Sequence, residues 1–135
     1  METVLEQNRM IAEFMGIKPK LESPDVYTYS DMPFFSVREN TPENVMNAIS
    51  KYVKYNSSWD WLMPVIEKIE KLGFIIKTTS SPTISGKWYS HSIELKKSAF
   101  ESNIIEISSD YSNNESKLST YYRFCVEFIE WYNKN

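Results

Sequence analysis

Apolar side chains recur along this chain with two periods, a helical one in four segments and an alternating one between the third and fourth of them. That contrast places the secondary structure. From Thr3 to Met15, Val4, Leu5, Ile11, Ala12, Phe14 and Met15 fall on one side of a helical wheel and Glu6, Arg9 and Glu13 on the other, with Gly16 placed to end the helix. Thr41-Pro42-Glu43 has the chemistry of a helix start, and a second helix is expected to run to about Lys54, with Val45, Ile49, Tyr52 and Val53 as its stripe, Met46 and Ala48 beside it, and Asn47, Ser50, Lys51 and Lys54 facing water. The third helix carries Trp61, Leu62, Val65, Ile66, Ile69 and Leu72 on one arc, Glu67, Lys68 and Lys71 opposite, and Gly73 at its end. Pro64 suits a first turn, which sets the expected start at Asp60 or Trp61.

Between the third and fourth helices the period changes to two. Phe74–Thr79 has strand composition, a Ser/Thr/Pro/Gly turn covers Ser80–Gly86, and Lys87–Leu95 alternates Tyr89, His91, Ile93 and Leu95 with Trp88, Ser90, Ser92 and Glu94. Asn103–Ser108 repeats the alternation with Ile105 and Ile107. Three strands in succession predict an antiparallel meander. The last helix, Glu115 to Tyr132, has Leu118, Tyr121, Tyr122, Cys125, Phe128, Ile129 and Tyr132 on its stripe, widened by Phe124 and Trp131, and leaves Arg123, Glu127, Glu130 and Lys134 for water. Such a wide arc needs two packing partners, the sheet and a neighbouring helix. Residues 17–40 read differently, since Pro19, Pro24 and Pro33 exclude a long helix, while Val26–Tyr29 and Phe34–Val37 suit an edge hairpin. The fold class is therefore α+β, one domain over residues 1–135, with about four helices.

Composition narrows what this domain does. Hydrophobic residues make up 41% and aromatics 15% of 135 residues, enough for a packed core without staples. With three glycines, a glycine-lined phosphate loop is not expected, and turns fall to Asn, Asp, Ser and Pro. The net charge of −3 is interleaved along the chain, so there is no basic stripe for nucleic acid. A single cysteine, Cys125, allows no disulfide within the chain and no thiolate metal site, and it sits where a thiol acts as a small hydrophobe. Met1 to Glu6 carries no basic segment leading into an apolar run, and no run approaches a membrane span, so a cytoplasmic protein is expected.

Candidate chemistry is sparse. Trp59-Asp60-Trp61 offers aromatic faces beside a carboxylate, the makings of a ligand platform, but Asp60 equally serves to cap the amides of Leu62 or Met63. His91, the sole histidine, falls on the inward face of its strand, where a hydrogen-bonded structural role is expected. As a base it needs a nucleophile beside it and a carboxylate to orient it. Glu94 and Glu106 sit on adjacent strands and on the face away from the core, as a solvated pair. Gly86-Lys87 lacks the rest of a phosphate loop. No metal, cofactor or catalytic set is expected. The residues best placed for contact with a ligand or partner are Trp59, Asp60, Trp88, His91 and Trp131.

Three blocks carry a resemblance. Asn8–Gly16, Ser58–Glu70 and Val126–Asn133 are similar, in order and spacing, to the small proteins of phages and prophages of gut Bacteroidetes-type bacteria grouped as the phage ABA sandwich domain. The blocks cover about a quarter of the chain, and residues 17–55 and 78–120 match only in general character. The resemblance implies a layered α/β/α sandwich and brings no activity, cofactor or site residue. Two functions are carried forward. The first is a non-enzymatic accessory protein that binds a host or phage protein, and the alternative is a domain that sequesters a small molecule or nucleotide near Trp59, Asp60 and His91.

Overall fold

A computed structural model describes residues 3–17, 20–23, 26–28, 42–82, 89–109 and 115–135. Its elements are α1 (Val4–Phe14), β1 (Lys20–Ser23), β2 (Val26–Thr28), α2 (Pro42–Tyr52), α3 (Trp59–Lys71), β3 (Ile75–Pro82), β4 (Tyr89–Lys96), β5 (Ile105–Ser108) and α4 (Lys117–Lys134). The class is α+β, with four helices and a three-stranded antiparallel sheet in the order β3-β4-β5. Contacts divide the chain into two compact units, Met1–Tyr55 and Asn56–Asn135.

In the first unit, α1 begins where Thr3 accepts a hydrogen bond from the Glu6 amide at 3.1 Å. It ends where Ile17 N–H reaches the Ala12 carbonyl and Gly16 N–H reaches Glu13, with Gly16 at φ 81°. That double closure needs a left-handed residue, and glycine takes it without a Cβ penalty. The buried face of α1 is Asn8, Ile11 and Ala12, whereas Val4 and Leu5, expected on it, are exposed. On α2 the buried face is turned relative to the sequence expectation. Met46, Ile49 and Ser50 are buried together with Val53 just beyond the helix, while Tyr52 is exposed. Ser50 tolerates the core because its hydroxyl donates to the Met46 carbonyl at 2.7 Å. Arg9 clasps α1 to α2, with Nε 3.0 Å from Glu13 and Nη1 and Nη2 2.5 and 3.0 Å from Glu43. These bonds raise the Arg9 pKa, and the Arg9 guanidinium holds the Glu43 carboxyl below its ordinary value. β1, a strand not expected from the sequence, pairs antiparallel with β2 in a two-stranded sheet, so that Val26–Thr28 is a strand as expected but with Lys20–Ser23 as a partner. The expected Phe34–Val37 strand and the Thr41 cap lie outside the described residues.

In the second unit, α4 packs on β4, β5 and α3. Phe124, Cys125, Phe128 and Ile129 are fully buried, as are Leu62, Val65 and Ile69 of α3 and Ile93 and Leu95 of β4. Phe74 stands edge-on to Phe128 at 5.2 Å and to Trp131 at 5.8 Å, which ties the α3–β3 turn to the C-terminal half of α4. Helix α3 starts at Trp59, earlier than Pro64 suggested, so Pro64 lies inside the helix beyond the first turn. The missing amide leaves the Asp60 carbonyl without its helical partner, a loss that the exposed position of Pro64 lets water offset. Arg123, expected to face water alone, forks onto Glu115 at 3.1 and 2.7 Å and donates to the Ser108 carbonyl at 2.6 Å. The end of β5 is thereby fastened to α4.

Candidate functional site

The N-terminal ends of α3 and α4 meet in a cleft. Trp59 and Met63 stand one turn apart on α3, Lys117 and Tyr121 one turn apart on α4, so each pair shares a helix face. The four line a hollow of about 420 Å³. Trp59 rests edge-on against Tyr121, ring centroids 5.3 Å apart at 70°. Lys117 Nζ lies 6.0 Å from the centroid of the same Tyr121 ring. Tyr121 is buried as a floor, whereas Trp59 and Met63 are 37% and 41% exposed. The arrangement offers an apolar wall, an aromatic floor and one cation.

His91 lies within the field of Lys117. Its Nδ1 is 2.8 Å from Ser80 Oγ on β3, its amide donates to Ser109 Oγ at 3.0 Å, and its carbonyl accepts from Ser109 N–H at 2.8 Å. It is half-buried on the sheet face that carries Ile93 and Leu95, the inward position expected from alternation. Partial burial lowers its pKa first, and the positive charge of Lys117 lowers it further. A depressed folded pKa means the neutral ring is favoured by folding, so this contribution is complete above the ordinary value of 6.5 and is lost as pH falls through it toward the folded value. Because His91 is the chain's one histidine, a proton NMR titration follows a single ring. The midpoint is expected below 6.5 and is expected to move up in Lys117→Gln; no movement would show that Lys117 does not act on the ring.

Ser80 and His91 place a hydroxyl beside an imidazole, the first half of a nucleophilic set. Among the described residues no carboxylate bonds the His91 ring. Glu94 and Glu106 cannot serve, since they are register partners on β4 and β5 and alternate with the positions that share the His91 face. Like charges directly opposite across strands repel, and Lys77, opposite Glu94 on β3, offsets part of this. Glu106→Lys is expected to raise stability by about 0.5 kcal/mol in urea melts. A loss of stability there would show that the pair is held by something other than its strand register.

The remaining candidates are scattered. Asp60 is exposed in the first turn of α3 and is not its cap; Ser58 takes that position, without a side-chain cap bond. The Asp60 charge acts there on the positive end of the helix instead. Trp131 is half-buried, 6.1 Å from Phe128 and 5.8 Å from Phe74 at the other end of α4, away from the cleft. Trp88 lies outside the described residues. Of the five contact residues expected from sequence, the structure brings Trp59 to the cleft, and His91 feels the charge of its lysine without lining it. Met63, Lys117 and Tyr121 were missed as contact residues, although their i, i+4 spacing on two helix starts was visible.

Other groups with chemistry are occupied or silenced. Cys125 is fully buried and burial pushes its thiol up, so little thiolate forms. Burial pushes the Tyr55 phenol up to about 12. A smaller hollow in the first unit, about 290 Å³, has Arg9 and Ser50 on its wall, both already bonded within the unit. Among the described residues no three His, Cys, Asp or Glu side chains gather to hold a metal, and no helix is long and apolar enough to cross a membrane. Comparison of the chain with protein-family models, with curated proteins and with solved structures finds no match.

Proposed function

We propose that this protein is a non-enzymatic binding module, a phage or prophage accessory protein of the kind its three sequence blocks resemble. It acts in the bacterial cytoplasm by docking a host or phage protein at the Trp59 cleft. The observation that carries this reading is the exposure of Trp59. A tryptophan at a helix start serves folding when it is buried, yet here more than a third of it remains exposed beside Met63 and over a buried Tyr121. Half-exposed aromatics with an exposed methionine are the composition of interface anchors. Lys117 at the wall selects the occupant, an apolar side chain of the partner followed by a carboxylate.

Sequestration of a small molecule or nucleotide is the weaker reading. The volume lies within the range of ligand pockets, but such pockets bury most of their ligand. With Trp59 and Met63 both open to solvent, this cleft covers one side of an occupant only. Affinity capture from host lysate, run in parallel with wild type and Trp59→Ala, tests the reading. A protein retained by the first and lost by the second supports it once purified and shown to bind directly. Identical captures from the two baits, together with a nucleotide that raises the melting temperature of wild type only, would replace it with the sequestering reading.

A further inference from the structure

Among the described residues strand β3 is bonded on one side only, being the edge of the order β3-β4-β5. Which of its backbone groups face outward follows from β4. His91 gives its carbonyl to Ser109 N–H at 2.8 Å and Leu95 gives its carbonyl to Ile104 N–H at 2.7 Å, so these alternate positions turn their backbone toward β5. In an antiparallel ladder the intervening positions must turn the other way, toward β3. Those are Ser90, Ser92, Glu94 and Lys96, whose register partners are Ser81, Thr79, Lys77 and Ile75. The backbone groups of Ile76, Thr78, Ser80 and Pro82 therefore point to the open edge. Proline, which has no N–H, stands at one of these outward positions, where a strand tolerates it. From Lys77 to Pro82 the side chains are exposed on both faces, and no hydrogen bond to the outward backbone groups is found among the described residues.

We propose that this edge pairs with the same edge of a second copy of the chain, antiparallel, about a two-fold axis through Thr79, joining two three-stranded sheets into one. The pattern of β3 fits its own reverse. About that axis Thr78 lies opposite Ser80 of the second copy, and each donates its amide to the other's carbonyl. Ile76 donates to the carbonyl of Pro82, the one bond of that pair that proline can make. Lys77, the one charge on the strand, meets Ser81 instead of another lysine. Thr79 meets Thr79 in a close, non-bonded pair, a combination that favours pairing of strands. Of the usual protections of an edge the strand has Lys77 and, at its end, Pro82, yet it is long, β-branched and free of proline from Ile75 to Ser81. The proposal uses none of the residues of the Trp59 cleft and stands apart from its function.

Cysteine cross-linking tests both the pairing and its register. In a close antiparallel pair the Cα atoms are about 4.5 Å apart, within the range a disulfide spans. Thr79→Cys is expected to form a disulfide-linked dimer under mild oxidation, while Lys77→Cys, which faces Ser81, stays monomeric on a non-reducing gel. The buried Cys125 adds no background. Equal cross-linking of the two variants would mean chance collision and would overturn the proposal, as would cross-linking of neither. Thr78→Pro removes an outward amide without touching the bonds to β4 and is expected to abolish the dimer seen by light scattering, while Thr78→Val keeps it. Should Thr78→Pro not fold, amide exchange on wild type gives the same answer. Protection of the Thr78 and Ser80 amides is expected to rise with protein concentration, and fast exchange at every concentration would overturn the proposal.

Discussion

Phe128→Ala is expected to lower stability by about 3–5 kcal/mol, the range for emptying an aromatic site in a closed core. Phe128 is fully buried and its ring meets those of Phe74 at 5.2 Å, Trp131 at 6.1 Å and Tyr132 at 5.5 Å. Two of these come from one helix and the third from the turn between α3 and β3, so the vacated space cannot be closed by a single side chain moving in. Domains of this size hold only about 5–15 kcal/mol in total, so the variant should unfold well below the wild-type urea midpoint. Tyr132→Ala is the control. Tyr132 stacks on the same ring but is 40% exposed, so about 1 kcal/mol is expected from it. Similar losses for the two variants would show that the aromatic cluster is not the anchor of the second unit.

Trp59→Ala is expected to divide stability from binding. Its ring touches Tyr121 edge-on and leaves a third of its surface to solvent, so folding should lose about 1 kcal/mol. Binding of the partner should weaken by about 30-fold or more, since an anchor aromatic at the centre of an interface contributes over about 2 kcal/mol. Isothermal titration with the captured partner, alongside thermal melts of the free protein, separates the two quantities. A variant that melts as early as Phe128→Ala while binding normally when folded would make Trp59 a core residue, and the proposed docking site would go with it.

Much of this was legible from periodicity. The helical spacing around Ile49, Ile66 and Phe128 and the alternation of His91, Ile93 and Leu95 placed the four helices and the meander, with ends shifted by a few residues. Helix ends were also legible where glycine makes them: Gly16 and Gly73 take the positive φ expected of them. The misreadings of helix faces share one cause. Val4, Leu5 and Ser50 were assigned to faces by hydrophobicity, yet which arc of a helix is covered depends on what lies against it, and a hydroxyl bonded to its own helix enters the core at little cost. Arg123 was assigned to water for the same reason, before Glu115 and the Ser108 carbonyl were known to lie within its reach.

By itself the sequence determined the class of the fold, its four helices and the three strands of the meander, and the inertness of its one cysteine, because these follow from spacing and side-chain chemistry within a few residues. Only the tertiary structure decided that Trp59 of α3 would meet Tyr121 and Lys117 of α4 and that Ser80 would sit beside His91. It also decided that β3 would have β4 alone as its neighbour among the described residues. Each of these joins residues distant in the chain, and such distances are closed by the packing of α4 and by strand register, which no local pattern specifies.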